Sequence, residues 1–228
     1  MIDCLIFSKD RACQLDALLQ TIDRHAPMLR PTILYSWSDR RYHEGYRLLR
    51  LQRAGSGIEW IAQPAADTFA LLTRYLVGQS ELVCLLVDDD LFYAPACEPD
   101  LLPWSWRPGD YDYPFALDGC VYESGRILSL LDFPFANPTQ LEAGVAWRLA
   151  NAPEISWQLQ HGEPCLVGVP HNRVSVDSGM PTLGGSAAEL NDRFLAGGRI
   201  DPFATMAGVQ VDAVHMPIEY KWRGNANG

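Results

Sequence analysis

The stretch "ELVCLLVDDD", residues 81–90, joins a continuous apolar run to three adjacent aspartates. The apolar part, residues 81–87, predicts a strand that is buried on both faces, as is typical of a central strand in a parallel sheet. Asp88, Asp89 and Asp90 then mark its carboxyl end. Because adjacent carboxylates repel one another, such a triplet requires either solvent or a cation beside it.

Strands and helices alternate through the first half of the chain. The patterns predict strands at 2–8, 32–37, 57–63 and 81–87, and helices at 11–26, 42–54 and 67–78. Asp10 is the expected N-cap of the first helix, and the third begins at Asp67 and ends at Gly78. The alternation indicates βαβ units, and therefore an α/β fold with a mostly parallel central sheet flanked by helices.

The second half is less regular. A segment rich in proline and tryptophan predicts a long loop at 98–114, and the patterns further on predict strands at 115–124 and 164–176 and helices at 137–152 and 186–198. Glu142 is expected in the first turn of the helix at 137–152. Neither an internal repeat nor a linker interrupts the sequence, so we expect one domain over residues 1–228.

The composition excludes several classes of protein. The chain has 228 residues, is 48% hydrophobic and carries a net charge of −10 spread along its length, which argues against a nucleic-acid surface. No apolar run approaches the roughly 20 residues of a membrane-spanning helix, and the N-terminus lacks the features of a signal peptide. Six cysteines are scattered without a CxxC pair, which favours reduced, mostly structural thiols and a cytoplasmic location.

Polar residues follow each predicted strand of the first half, and in parallel sheets ligands bind beyond the carboxyl ends of the strands. If strand geometry persists through the triplet, Asp88 and Asp90 point to one side and Asp89 faces away. Paired carboxylates without nearby cysteine suit Mg²⁺ or Mn²⁺. The alternative is a solvated acidic turn, but the position on this edge favours a metal site.

Two stretches resemble a known family. "LVDDD" (86–90) is similar to the DxD motif of glycosyltransferases with the GT-A fold, and "FSKDRACQLDALLQTI" (7–22) resembles the first strand and helix of family 2-like bacterial members. The resemblance implies a metal-dependent, inverting transfer of sugar from a nucleotide-diphosphate sugar, with a UDP-sugar preferred. The acceptor would be a hydroxyl of a glycan, a lipid-linked or a small molecule in glycan or polysaccharide biosynthesis. Residues 1–97 would bind the donor and residues 98–228 the acceptor.

The resemblance also implies roles for individual residues. Nucleotide-sugar binding falls to Ser8, Arg11, Asp39, Asp88 and Asp89. Within this set Asp39 would bind the base, whereas Ser8 and Arg11 would lie near the nucleotide. Asp88 would contact the ribose, or the metal through water.

The implied metal ligands are Asp90, directly, together with Asp88 and the late His215. The basic side chains Lys221 and Arg223 would neutralise diphosphate charge, unless they belong to a solvated tail.

Catalysis requires a base that removes the proton of the acceptor hydroxyl. The resemblance places this base at the start of the helix in "NPTQLEAG" (137–144), which indicates Glu142. Asp118 is the second candidate, or a residue that holds the acceptor hydroxyls. Leu141 and Glu142 stand where the family usually has an adjacent Glu-Asp pair.

Further polar and aromatic side chains are available to contact the donor or acceptor: His171, Asn172, Arg173, Trp104 and Trp106. Two other functions compete with transfer. A sugar-phosphate nucleotidylyltransferase would need a glycine-rich loop after the first strand, and "FSKDRACQ" contains no glycine. A nucleotide-sugar-binding protein without catalysis is the other alternative.

Overall fold

The computed structural model describes residues 1–63, 65–96, 115–151, 164–172 and 182–224. The strands are β1 (Ile2–Lys9), β2 (Leu29–Ser36), β3 (Glu59–Ala62), β4 (Leu82–Val87), β5 (Asp90–Phe92), β6 (Cys120–Glu123), β7 (Leu166–Gly168), β8 (Arg199–Ile200) and β9 (Trp222–Arg223). The helices are α1 (Ala12–His25), α2 (Arg40–Gln52), α3 (Phe69–Val77), α4 (Ser124–Leu130), α5 (Pro138–Asn151), α6 (Ala187–Leu195) and α7 (Pro202–Met206), with a 3₁₀ turn at Ala66–Thr68.

The central sheet has five strands in the order β3-β2-β1-β4-β6. The first four pair in parallel and β6 runs antiparallel to β4. Helices cover both faces, so the predicted α/β fold with a mostly parallel sheet is confirmed. Because β1 and β4 are central neighbours, the residues that follow them meet at one edge of the sheet.

Alternating side chains of the central strands pack into two apolar clusters, one on each face of the sheet. Ile6, Ile33 and Cys84 pack with α1, α2 and α6 on one face. Leu34 and Leu85, one position further along their strands, pack with α3, α4 and α5 on the other. This period of two is what burial on both faces of a strand requires.

Asp10 does not cap α1, contrary to the prediction. It has a φ of 59°, in the left-handed region that aspartate tolerates better than most residues. Its side chain turns away from α1 and accepts hydrogen bonds from the backbone N–H of Ser38, at 2.7 Å, and from the Ser38 hydroxyl. It therefore ties the end of β1 to the loop after β2.

Other boundaries also differ from the predictions. Asp67 lies in the 3₁₀ turn rather than at the start of the third helix, which begins at Phe69 and is followed by Gly78 as expected. The strand predicted at 115–124 is reduced to β6, since residues 115–119 are not extended and α4 begins at Ser124. The predicted loop at 98–114 lies outside the described residues.

Two small sheets complete the second half. β5 pairs antiparallel with β7, and β8 pairs antiparallel with β9. The chain near His215 adds to β7 as a further parallel bridge at Gly168. Among the described residues no helix has the length and apolarity needed to cross a membrane. The five described cysteines are free thiols.

Candidate functional site

The aspartate triplet does not continue the strand that precedes it. β4 ends at Val87, Asp88 and Asp89 form a turn, and Asp90 begins β5. We expected Asp88 and Asp90 to point to one side because we assumed an uninterrupted strand. The turn instead places the two side chains among different neighbours. The three carboxylates therefore belong to two clusters.

The first cluster surrounds Asp88, which is buried. Its Oδ2 accepts hydrogen bonds from the Ser8 hydroxyl at 2.8 Å and from the Lys9 backbone N–H at 3.1 Å, and its Oδ1 accepts from Arg11 Nη1 at 3.0 Å. Burial raises the pKa of Asp88 to about 6, helped by the charge of Asp89 and opposed by Arg11. Both oxygens of Asp88 are thus engaged within the protein.

Arg11 neutralises two carboxylates at once. Its Nη1 lies 3.0 Å from Asp88 and 2.8 Å from Asp89, and its Nη2 donates to the backbone carbonyl of Asn172. Burial alone would lower the pKa of Arg11, but the two carboxylates outweigh it and raise that pKa. Asp89 therefore does not face away from the cluster, contrary to the prediction.

Two residues complete this first cluster. The Tyr46 hydroxyl lies 2.7 Å from Ser8 Oγ and accepts from the Arg11 backbone N–H at 3.1 Å. Gln14 Nε2 donates to Asn172 Oδ1 at 2.5 Å. Sequence reasoning missed Tyr46, because its position in the middle of α2 resembles that of any buried aromatic residue.

The second cluster surrounds Asp90, which has no exposed surface. Its Oδ2 accepts from the Val87 backbone N–H at 3.0 Å, and its Oδ1 is buried without a hydrogen-bond partner. Burial, and next the charge of Asp118, raise the pKa of Asp90 well above its ordinary value. A buried acceptor without a donor is costly, which makes it a candidate for contact with a ligand or cation.

Gly168 brings His215 to the same face as Asp90. Asp90 is paired with Gly168 across β5 and β7, and Gly168 is bridged to His215 on its other side. Paired residues in a sheet point to the same face. A Cβ on Gly168 would lie only 2.4 Å from His215 Cδ2, so the imidazole occupies the space that a side chain there would take. No local sequence signal indicated this glycine.

The two proposed catalytic carboxylates meet in this cluster. Asp118 Oδ2 lies 3.5 Å from His215 Nε2, and Glu142 Oε1 accepts from the Leu117 backbone N–H at 2.9 Å. Glu142 lies in the second turn of α5 rather than the first, because the helix begins at Pro138.

The charges in the cluster are coupled to one another. Burial, and next the charge of Asp118, raise the pKa of Glu142 to about 8. Burial alone would lower the pKa of His215, but Asp118, Asp89 and Glu142 together raise it to about 9. His215 is thus held as the cation of the cluster, whereas the raised pKa values of Asp90 and Glu142 favour their protonated forms until a cation or ligand binds.

Asp39 serves a structural role at the same edge of the sheet. It caps α2 by accepting from the backbone N–H groups of Arg41 at 2.8 Å and Tyr42 at 3.3 Å. Arg223 donates to Gln20 Oε1 on α1 and, among the described residues, pairs with none of Asp88, Asp89 and Asp90.

The ring of His171 stacks on Tyr220 with the centroids 4.8 Å apart. Arg173, Trp104 and Trp106 lie outside the described residues.

A divalent cation needs carboxylate or imidazole atoms that are not already engaged in hydrogen bonds. Asp88 does not fit as a direct ligand, because its oxygens already accept three hydrogen bonds. Asp90 fits, since its buried Oδ1 lacks a partner and His215 shares its face. In the described part of the chain, no three His, Cys, Asp or Glu side chains are grouped as a ready set of metal ligands.

Comparisons with known proteins identify neither a family nor a relative by sequence. No family model matches the chain, and no curated protein matches it. Among solved structures, three glycosyltransferases are similar to parts of the chain.

A mannosyltransferase, PcManGT from Pyrobaculum calidifontis, in complex with GDP-Man and Mn²⁺, matches with a TM-score of 0.37 and 13% identity. The match covers 48% of this chain and 36% of that one. The galactosyltransferase LgtC, in complex with donor and acceptor sugar analogues, matches with a TM-score of 0.34 and 16% identity over 48% and 44% of the two chains.

The PaToxG glycosyltransferase matches with a TM-score of 0.38 and 11% identity over 66% of this chain and 70% of that one. This chain therefore covers less than half of the first two structures. At these TM-scores the matches carry no conclusion about the activity of this chain.

Proposed function

We propose that this protein is a metal-dependent glycosyltransferase that moves a sugar from a nucleotide-diphosphate sugar to an acceptor hydroxyl. The observation that carries the proposal is the second cluster. Asp90, Asp118, Glu142 and His215 come from four separate parts of the chain and meet where β4 ends. A buried acceptor without a partner and three acids around one cation suit a site that receives positive charge and moves a proton.

Asp90 and His215 are the residues that would hold Mn²⁺ or Mg²⁺. The hard oxygen of Asp90 suits either ion, and the imidazole of His215 suits Mn²⁺. Bound there, the ion would act as a Lewis acid that stabilises the departing diphosphate. Asp88, which is held by Ser8 and Arg11, would position the turn and contact the donor rather than the ion.

Glu142 is the proposed general base. It is only partly buried, so an acceptor can reach it, and its backbone hydrogen bond from Leu117 fixes its orientation. In a single displacement, Glu142 takes the proton of the acceptor hydroxyl as that oxygen attacks the sugar and the diphosphate leaves, which inverts the anomeric centre. Asp118, oriented by His215, would hold a second acceptor hydroxyl.

The remaining roles follow the same proposal. Ser8, Arg11 and Asp39 lie along the edge that would bind the nucleotide, with residues 1–97 contributing the donor side and residues 98–228 the acceptor side. A UDP-sugar is the first donor to test, and a glycan, lipid-linked or small-molecule hydroxyl is the acceptor, in glycan or polysaccharide biosynthesis in the cytoplasm.

One observation favours a second function. Arg11 forms ion pairs with both Asp88 and Asp89, so Asp90 is the one carboxylate of the triplet that is left to bind a cation. A protein that binds nucleotide sugars without transferring them would tolerate this arrangement. Asp118 and Glu142 have no role in such a protein, and for this reason we place transfer first.

A donor screen tests the proposal. UDP-, GDP-, CMP- and dTDP-sugars are incubated with the protein with and without Mn²⁺, and both the shift in melting temperature and the release of nucleotide are followed. We expect one donor to stabilise the protein and be consumed only with Mn²⁺. Stabilisation without consumption in the presence of acceptors would favour the binding protein, and the absence of both effects would refute the proposal.

A further inference from the structure

A cavity lies at the edge of the central sheet, between α2, the loop after it and β3. Its volume is about 430 Å³, within the range of roughly 300–1,000 Å³ that is usual for small-molecule sites. None of the residues that line it belongs to either aspartate cluster. It is therefore a separate place in the fold with no role in the proposed transfer.

The walls of this cavity are cationic. Arg47, Arg50 and Arg53 line it; the spacing of three residues places Arg47 and Arg50 along one side of α2, and Arg53 follows directly after the helix. No described aspartate or glutamate is among the lining residues, although the whole chain has 28 acidic and 18 basic residues. The described lining thus contains three arginines and no acid, in a protein whose net charge is −10.

Arg50 is the arginine available to a ligand. Its Nη1 donates to the Tyr35 hydroxyl at 2.9 Å, and among the described residues it forms no ion pair within 4.0 Å. Its guanidinium carbon lies 6.0 Å from the centre of the Tyr35 ring. Arg50 is thus exposed, and its guanidinium group is oriented by one hydrogen bond. Little conformational freedom is therefore lost when it binds an anion.

The other two arginines have acidic partners that differ in burial. Arg47 pairs with Glu44 at 2.6 Å, and both side chains are largely exposed, so an anion can displace this weak pair. Arg53 lies 3.5 Å from Asp16 and also pairs with Asp23, and its side chain is only 14% exposed. Arg50 and Arg47 are therefore the two arginines whose charge is accessible to an anion, whereas the charge of Arg53 is neutralised by its buried partner Asp16 and by Asp23.

Aromatic side chains line both sides of the cavity: Tyr35 and Trp60 come from β2 and β3, and His43 comes from α2 beside the arginines. Trp60 is half-buried and meets Tyr35 edge to face with the centroids 5.9 Å apart, and His43 lies against Trp37 at 4.4 Å. Such a surface accepts the face of a ring or an apolar chain beside a charged group.

The loop after α2 contributes two glycines to the lining of the cavity. Gly55 and Gly57 have φ values of 83° and 78°, which favour glycine, and a Cβ at either position would meet nothing within 4 Å. The cavity is thus lined by arginines, aromatic rings and glycines.

We propose that this cavity binds a phosphate monoester or diphosphate that carries a ring or apolar group. Arg50 and Arg47 hold the phosphate, because guanidinium groups match its oxygens in paired hydrogen bonds. Trp60 contacts the remainder of the ligand, whereas Tyr35 is buried and holds Arg50 in place through its hydroxyl. The same chemistry is found in soluble phosphate esters and in the headgroups of phospholipids, and the experiment separates the two.

Isothermal titration calorimetry with phenyl phosphate and with inorganic phosphate tests the site. EDTA is present throughout, so that cation-dependent binding near Asp90 does not contribute. The wild type is compared with Arg50→Gln and Arg47→Gln, and with Arg126→Gln as the control, because Arg126 is also an exposed arginine paired with a glutamate. Melting temperatures establish that each variant is folded.

We expect phenyl phosphate to bind more tightly than inorganic phosphate, Arg50→Gln to weaken binding about tenfold or more, and Arg126→Gln to leave it unchanged. Arg47→Gln should weaken it less, since Arg47 is shared with Glu44. Equal affinity in the wild type and Arg50→Gln, or no saturable binding of phenyl phosphate by the folded wild type, overturns the proposal.

Vesicles distinguish the source of the phosphate. Phosphatidylcholine vesicles with phosphatidic acid are sedimented with the wild type and with Arg50→Gln. Co-sedimentation that depends on Arg50 assigns the site to lipid headgroups. Binding of phenyl phosphate without co-sedimentation assigns it to soluble phosphate esters. Because EDTA and Arg50 separate this site from the Asp90 cluster, failure here leaves the proposed transfer untouched.

Discussion

The two aspartate clusters differ in how their charge is balanced, although Asp89 and Asp90 are adjacent in the chain. Asp88 and Asp89 share the buried cation Arg11, and the oxygens of Asp88 all accept hydrogen bonds. Asp90 has an oxygen without a partner and lies among acids that share only His215. The first cluster is completed within the protein, whereas the second is completed only by a ligand. This contrast indicates that the cluster around Asp88 stabilises the fold, whereas the cluster around Asp90 carries out the proposed reaction.

The largest effect is expected at Asp90. Asp90→Ala should reduce transfer by at least about a thousandfold, since several kcal/mol of Lewis-acid stabilisation would be lost. The fold should survive, because the variant removes a buried carboxylate that has no cation of its own. Turnover with Mn²⁺ and circular dichroism of the same sample check both parts. Full turnover in the variant would sink the assignment of chemistry to the second cluster.

Substitution in the first cluster should lower the stability of the protein. Arg11→Gln leaves two carboxylates without their shared cation, and we expect a loss of about 3–5 kcal/mol in the free energy of unfolding. For a chain of this size that lowers the melting temperature by about 10 °C. Denaturant unfolding measures it.

Arg126→Gln is the matched control for that measurement, since it breaks the exposed pair with Glu123, and should cost less than about 1 kcal/mol. A similar small loss in both variants would contradict the structural role of Arg11.

Gly168 tests whether His215 must lie beside Asp90. In Gly168→Ala the new Cβ would lie 2.4 Å from His215 Cδ2, so the imidazole must move. We expect activity to fall by about 10–100-fold, because small displacements in a site are costly.

Gly125→Ala is the control, since a Cβ there meets nothing within 4 Å. NMR of the His215 ring should show the shift. Unchanged activity together with a moved ring would remove His215 from the site.

The smallest effect concerns Glu142 and pH. Its pKa rises from 4.5 to about 8 on folding, so the folded state holds the proton more tightly and loses stability as the pH rises through that window. In EDTA, Glu142→Gln should therefore melt at the same temperature as the wild type near pH 4.5 and a few degrees higher near pH 8.5. A constant difference between the two proteins across this range would show that Glu142 is not held in its acidic form.

The fold followed from local patterns. Continuous apolar runs such as 81–87 and helical spacing in 11–26 are set by burial, and the parallel sheet follows from their order. The errors arose where tertiary contacts decide: Asp10 bonds to Ser38 rather than to α1, and α4 follows β6 without a break.

The candidate site was predictable only in part. Residue types and chain order indicated Asp90, Asp118, Glu142 and His215. The ion pairs of Arg11 with Asp88 and Asp89 depend on the turn after β4. The role of Gly168 depends on a bridge to His215, which is far away in the chain. Neither leaves a signal in the local sequence.

Mn²⁺ binding measured by electron paramagnetic resonance, with UDP or GDP present, tests the central claim most directly. The account predicts saturable binding by the wild type and by Arg126→Gln, and a loss of at least about tenfold in affinity in Asp90→Ala, which removes the ligand oxygen. Equal Mn²⁺ affinity in Asp90→Ala and the wild type would contradict it.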